Sequence, residues 1–136
     1  MENTKNQDSE PLVLIVDDDE FSLEILRRKL ALLGLTNVQL ASNGFAALRV
    51  LEKLPRPPEY LICDIFMPDM DGIEFVSELA MQRFAGGLML VTGVNLTMLE
   101  VARDIATLKG LNVLGVFQKP VHEDALRKAM GLSASL

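Results

Sequence analysis

Apolar residues fall into two alternating rhythms along this chain. Short unbroken runs, Leu12-Val13-Leu14-Ile15-Val16 first among them, alternate with longer stretches where apolar residues recur every three or four positions. An unbroken β-rich run has no polar face, as in a parallel strand buried on both sides. The longer stretches carry the single apolar stripe of helices packed on such a sheet. The first run ends at Asp17-Asp18-Asp19, and a helix is predicted next, with Phe21, Ile25, Leu26, Leu30 and Leu33 facing inward and Gly34 stopping it. Residues 37–41 read as a short strand, and 45–54 as a helix closed by Pro55, Pro57 and Pro58. Tyr60-Leu61-Ile62-Cys63 is a third strand ending at Asp64. Asp71 caps a third helix with Glu74 in the reciprocal capping position, and Gly86-Gly87 breaks that helix before the strand Leu88-Met89-Leu90-Val91, which ends at Thr92. Thr97-x-x-Glu100 reads as the capping box of a fourth helix, with Leu99, Ala102, Ile105 and Ala106 inward and Lys109-Gly110 at its end. Residues 112–117 form a fifth strand, Lys119-Pro120 a turn and 123–130 a last helix.

Five strands and five helices in strict alternation specify a parallel sheet covered on both faces and joined by right-handed crossovers. The expected architecture is α/β, a flavodoxin-like doubly wound sheet of order 2-1-3-4-5. With 136 residues there is room for one ordinary core. The expected division is a disordered lead-in over 1–10, one domain over 11–131, and a tail or linker start over 132–136. A net charge of −6 excludes a nucleic-acid surface on this domain, because phosphate backbones need clustered Lys and Arg. Cys63, the single cysteine, allows neither an internal disulfide nor a cysteine metal site. The polar opening MENTKNQDSE is no signal peptide, and no apolar run reaches membrane-spanning length, so a cytoplasmic protein without membrane contact is expected.

Ligands of open α/β sheets bind beyond the carboxyl ends of the strands. There the first strand delivers Asp17 and Asp18, the third Asp64, the fourth Thr92 and the fifth Lys119. Three carboxylates so close repel one another, so either a proton or a cation must relieve them. Mg2+ suits this set, since it takes oxygen ligands and uses one or two carboxylates beside a phosphate; Mn2+ would also serve. Asp18 and Asp64 would ligate directly, Asp17 would position the ion or its waters, and the backbone carbonyl of Phe66 would add an oxygen. A carboxylate can also act as nucleophile and form an aspartyl phosphate. Asp64 is the candidate, because the central strand places it between the metal side and the lysine side. Lys119 and the Thr92 hydroxyl would face the oxygens of the transferring phosphoryl group.

Val16-Asp17-Asp18, Asp64-x-x-Met67-Pro68-x-x-Asp71-Gly72, Thr92 and Lys119-Pro120, in this order and spacing, resemble the receiver domains of two-component response regulators, over roughly Leu12 to Met130. The resemblance implies phosphorylation of Asp64 by a histidine kinase or phosphotransfer protein. It further implies an acidic pair at Asp17 and Asp18, a switch hydroxyl at Thr92, a phosphate-sensing Lys119 and a cis peptide before Pro120. It implies no enzyme beyond self-phosphorylation and dephosphorylation, and a responsive face, available for a homodimer, around the fourth helix, fifth strand and fifth helix. Three positions depart from the family pattern. Val116 stands where an aromatic residue often sits, with Phe117 one place later and, by strand alternation, on the other face. Gly93 follows the switch hydroxyl in place of Ala or Ser. The stretch from Thr92 to Lys119 is about one helical turn longer than usual, which, with Gly110-Leu111-Asn112-Val113-Leu114-Gly115, resembles receivers attached to EAL-type cyclic-di-GMP phosphodiesterases.

Competing readings make different demands. Asp17-x-Asp19 after an apolar strand superficially resembles haloacid-dehalogenase phosphatases, but Phe21 stands where they carry Thr or Val. A receiver used purely for binding would not need the intact acids, hydroxyl and lysine. A nucleotide site is disfavoured by the acidic first loop, which repels phosphate. Taken singly, Asp19 and Asp71 read as helix caps, Gly72 as a turn residue, Met67-Pro68 as loop-shaping, His122 as an exposed first-turn residue and Cys63 as core filler. Apolar Phe66 and Val94 at the rim predict slow loss of an acyl phosphate to water.

Overall fold

The computed structural model describes residues 10–132, through which strands and helices alternate without interruption. They are β1 (Val13–Val16), α1 (Glu20–Leu32), β2 (Val38–Ala41), α2 (Gly44–Lys53), β3 (Tyr60–Asp64), α3 (Gly72–Met81), β4 (Gly87–Thr92), α4 (Leu96–Leu108), β5 (Asn112–Gln118) and α5 (Glu123–Ala129). All paired strands are parallel and the sheet order is β2-β1-β3-β4-β5, the expected flavodoxin-like arrangement. The lead-in and tail expected at the two ends lie, apart from Glu10 and Leu132, outside the described residues.

Strand alternation divides the core in two. Leu14, Val16, Leu61, Cys63, Leu88 and Leu90 point to the face covered by α2, α3 and α4, where Ala47, Phe75, Leu79, Leu99 and Ala102 meet them. Val13, Ile15, Ile62, Met89 and Val91 point to the other face, against Leu23, Leu26 and Leu30 of α1 and Leu126 of α5. Because β1, β3 and β4 are buried on both faces, their sequences run apolar without a break. β5, at an edge, is only half-buried.

Four local expectations are corrected. Phe21 does not face the core: it is 72% exposed, and Leu23 takes the inward place. The helical stripe is set by packing against β1, and Phe21 lies at the carboxyl end of the sheet, beyond the core layer. α4 is capped by Asn95, whose side chain accepts from Met98 N–H, and not by a Thr97–Glu100 box; the helix starts two residues early because Asn caps at least as well as Thr. Gly86-Gly87 does not end α3, which stops at Met81 with Arg83 in the left-handed region (φ 59°). Gly87 begins β4 instead, where a Cβ would come within 2.3 Å of Leu114. Gly72 is the first residue of α3 and not a turn residue; a Cβ there would stand 2.5 Å from the Ile65 Cα, so the backbones approach too closely for any side chain. The other caps agree with expectation: Asp19 caps α1, and Asp71 with Glu74 forms the reciprocal box of α3.

Candidate functional site

Parallel register assembles the site. Val16 pairs with Cys63, so the next residues, Asp17 and Asp64, emerge side by side at the crevice where the strand order reverses. Asp64 in turn aligns with Val91, and Thr92 with Gln118, which brings Thr92 and Lys119 to the same edge. Four residues from four strands meet only because the strands start and stop at one level.

Asp17, Asp64 and Thr92 are buried, at 1%, 7% and 0% exposure, while Asp18 lies open to solvent. Lys119 Nζ donates to Asp17 Oδ2 at 2.8 Å and to Asp64 Oδ2 at 2.9 Å, bridging the two acids. The second oxygens are also engaged: Asp17 Oδ1 accepts from Asp19 N–H and Asp64 Oδ1 from Phe66 N–H, both at 2.9 Å. Thr92 Oγ is held more loosely, accepting from Val94 N–H at 3.3 Å and Asn95 N–H at 3.4 Å. Phe66 sits two residues past β3 and is 42% exposed.

Burial lifts the Asp64 carboxyl above its ordinary value, against the pull of Phe66 N–H and Lys119, and nearby Asp17 adds to the lift. Burial acts on Lys119 in the opposite sense, yet hydrogen bonds to Asp17 and Asp64 hold its ammonium above the usual value. The bridge is thus a lysine kept charged by two acids, one of which would ionise more readily with a further positive charge nearby. Carboxylate oxygens of Asp17, Asp18 and Asp64 all lie within 4.8 Å of one another, so a single cation can reach all three. This all-oxygen set fits a hard divalent ion.

The response regulator receiver domain model matches residues 13–131, nearly the whole described chain. The chain belongs to this family. The protein-glutamate methylesterase/protein-glutamine glutaminase 3 of Hahella chejuensis is 32% identical over 88% of this chain and 34% of its own length. Regulator of RpoS from Escherichia coli is 34% identical over 82% of this chain and 31% of its own length. The chain therefore spans about a third of these curated relatives, and only 10% of the sensor histidine kinase CheAY of Helicobacter pylori, to which it is 40% identical over 57% of this chain. Among solved structures, a response regulator from Colwellia psychrerythraea superposes with a TM-score of 0.74 at 30% identity, covering 90% of this chain and 95% of that one. A receiver domain protein from Clostridium thermocellum superposes at 0.76 with 21% identity, over 89% and 91%. This is a receiver domain of a response regulator in two-component signalling, a family in which aspartate phosphorylation is typical.

In this receiver all the sequence-predicted residues gather at one end of the sheet. Val116 and Phe117 lie on opposite faces, Val116 against the α2–α4 side and Phe117 against the α1–α5 side, so no aromatic ring stands where the family often has one. The Lys119–Pro120 peptide is cis. His122 precedes α5, exposed and without a capping bond, and Cys63 is fully buried, its thiol pushed well up by burial. Sequence reasoning missed Ser22, whose Oγ lies 3.3 Å from Lys119 Nζ. A hydroxyl in the first turn of the helix after the acid pair was the available signal.

Proposed function

We propose that Asp64 accepts a phosphoryl group from a phosphohistidine of a histidine kinase or phosphotransfer protein. The observation that carries this reading is Asp64 Oδ2 at the buried end of the central strand, 2.9 Å from Lys119 Nζ and grouped with Asp17 and Asp18. A carboxylate oxygen of Asp64 attacks phosphorus and the bond from phosphorus to the imidazole nitrogen breaks. The leaving nitrogen keeps the electron pair. Asp18, Asp64 and the Phe66 carbonyl would hold Mg2+, or Mn2+ in its place, with Asp17 positioning it, and the ion would supply positive charge to the phosphoryl transfer. Lys119 offers its ammonium to one of these oxygens. The Thr92 oxygen accepts two backbone bonds, which leaves its hydroxyl proton to donate to another.

The unit that does this is the domain over residues 11–131, catalysing only its own phosphorylation and dephosphorylation, in the cytoplasm. Among the described residues no helix is long and apolar enough to cross a membrane. The responsive surface is α4, β5 and α5. Val94, Leu96, Val101 and Leu108 are all exposed on or just before α4, which supports contact there with a partner, an output domain such as an EAL phosphodiesterase, or a second copy. Phe66 and Val94 limit water at the acceptor, so the phosphoryl group outlasts seconds in the isolated protein.

The experiment is incubation with Mg2+ and acetyl phosphate beside Asp64→Ala, with intact masses recorded. One Mg2+-dependent, base-labile phosphoryl group on the parent and none on the variant is expected. A phosphoryl group retained by Asp64→Ala would remove Asp64 as acceptor.

A further inference from the structure

We infer that Ser22 is a positioning residue for Lys119, and that it acts as one link in a closed ring of hydrogen bonds through the N-cap of α1. The ring can be followed atom by atom. Lys119 Nζ donates to Asp17 Oδ2 at 2.8 Å; Asp17 Oδ1 accepts from Asp19 N–H at 2.9 Å. Asp19 Oδ2 accepts from the Ser22 hydroxyl at 3.0 Å, and Ser22 Oγ accepts from Lys119 Nζ at 3.3 Å, which closes the circuit.

Donor directions follow from the chemistry of the groups. An ammonium only donates and a carboxylate only accepts, so the single Ser22 proton goes to Asp19 and its lone pairs face Lys119. The Asp19 carboxylate polarises the hydroxyl, making its oxygen a better acceptor. All three ammonium protons then have partners: Asp17, Asp64 and Ser22. Three acceptors on three elements define a position, whereas two leave the ammonium free to swing about the line joining them.

A second contact from the same helix supports this role. Lys29, two turns beyond Ser22 on α1, donates from Nζ to the carbonyl of Val121, two residues past Lys119. Helix α1 thus grips the Lys119–Val121 segment at both ends, with the side chains of Ile25 and Leu26 between. A cavity of about 300 Å³ opens beside this segment, lined also by Phe21 and Pro120. Ser22 and Lys119 both line this cavity, and the hydrogen bond between them ties the ammonium to α1 at its edge. Asp19 therefore has two tasks, capping α1 through Phe21 N–H and holding Ser22.

The functional consequence rests on the proposed phosphorylation of Asp64, because Lys119 must be aimed at the phosphoryl oxygens. The test uses the whole chain labelled with 15N-lysine, with the Lys119 ammonium signal assigned by its loss in Lys119→Arg. In Ser22→Ala, proton exchange of that ammonium is expected to rise about fivefold, and phosphorylation by acetyl phosphate at saturating Mg2+ to slow about fivefold, the scale of one ordinary hydrogen bond. Ser22→Thr, which keeps the hydroxyl, should restore both, while an unaltered melting temperature in Ser22→Ala separates positioning from folding. Unchanged phosphorylation in Ser22→Ala overturns the inference. If the parent itself takes no phosphoryl group, the proposed function fails, and the ammonium exchange alone judges whether Ser22 holds Lys119: an unchanged rate overturns it.

Discussion

The two sides of the site are built to different tolerances. On the acid side, Asp17, Asp64 and Lys119 are locked by bonds of 2.8–2.9 Å. The loop beneath them leaves no space, since Gly72 rests on the Ile65 backbone. On the threonine side, Thr92 is equally buried but held by bonds of 3.3–3.4 Å. Gly93 beside it has no heavy atom within 3.8 Å of where a Cβ would stand, and Val116 fills the aromatic's place with a smaller side chain. Charged groups brought out of water must be paired, or they destabilise the fold. A neutral hydroxyl imposes no such demand. Precision therefore collects where charge is buried, and slack remains around the neutral hydroxyl.

Replacing Lys119 tests that contrast most severely. Lys119→Met leaves Asp17 and Asp64 facing each other unpaired. Phosphorylation by acetyl phosphate should fall about a hundredfold, and the metal-free protein should lose about 2 kcal/mol, the side chain's partial exposure moderating the loss. Chemical denaturation with and without Mg2+ checks it; saturating Mg2+ should recover part of the loss. A variant as stable as the parent in metal-free buffer would mean that the acid side is not under strain.

The two glycines offer a comparison free of charge. Gly72→Ala should destabilise by about 2–3 kcal/mol through overpacking against Ile65. Gly93→Ala should be neutral or stabilising by about 0.5 kcal/mol, because its φ is ordinary and the space is open. Equal melting temperatures for the two variants would remove the difference in packing between the sides.

A smaller effect is expected at Thr92. Thr92→Ala should slow phosphorylation about tenfold while leaving Mg2+ affinity, measured by calorimetry, unchanged. A large loss of Mg2+ affinity would instead couple the threonine to the acids.

The smallest effect lies outside the site, where exposed charges pair on α1. Hydrogen bonds from Arg27 and Arg28 push the Glu24 carboxyl down to about 2 from 4.5. A lowered folded value means that the pair's contribution is present above pH 4.5 and fades as pH falls towards 2. Solvent screens so exposed a pair, so Arg27→Ala should return the Glu24 midpoint in NMR titration towards 4.5 with little change in stability above that pH.

Much of this was written in the sequence. Unbroken apolar runs marked β1, β3 and β4, because a strand buried on both faces needs no polar residue. Their alternation with amphipathic stretches determined the layers and the sheet order. Because the runs of β1, β3 and β4 lead into Asp or Thr and Lys119 follows β5, these polar residues had to emerge at the carboxyl edge. Capping chemistry is local and was legible for Asp19 and Asp71. It misled at Thr97, because Asn95 and Thr97 both offer caps and only packing of α4 on the sheet selects between them. Phe21 was misassigned for a related reason: periodicity gives an apolar stripe but not where the core ends beneath it.

Tertiary structure alone decided the distances. Register brings Asp17 beside Asp64, and the span of α1 over the last loop brings Ser22 to Lys119 across 97 positions of sequence. The close approach that reserves Gly72 and the open space at Gly93 are likewise invisible in one dimension. Composition and periodicity report how each segment meets water. Hydrogen-bonding partners and free volume depend on which distant segments share a few ångströms, and only the folded chain determines that.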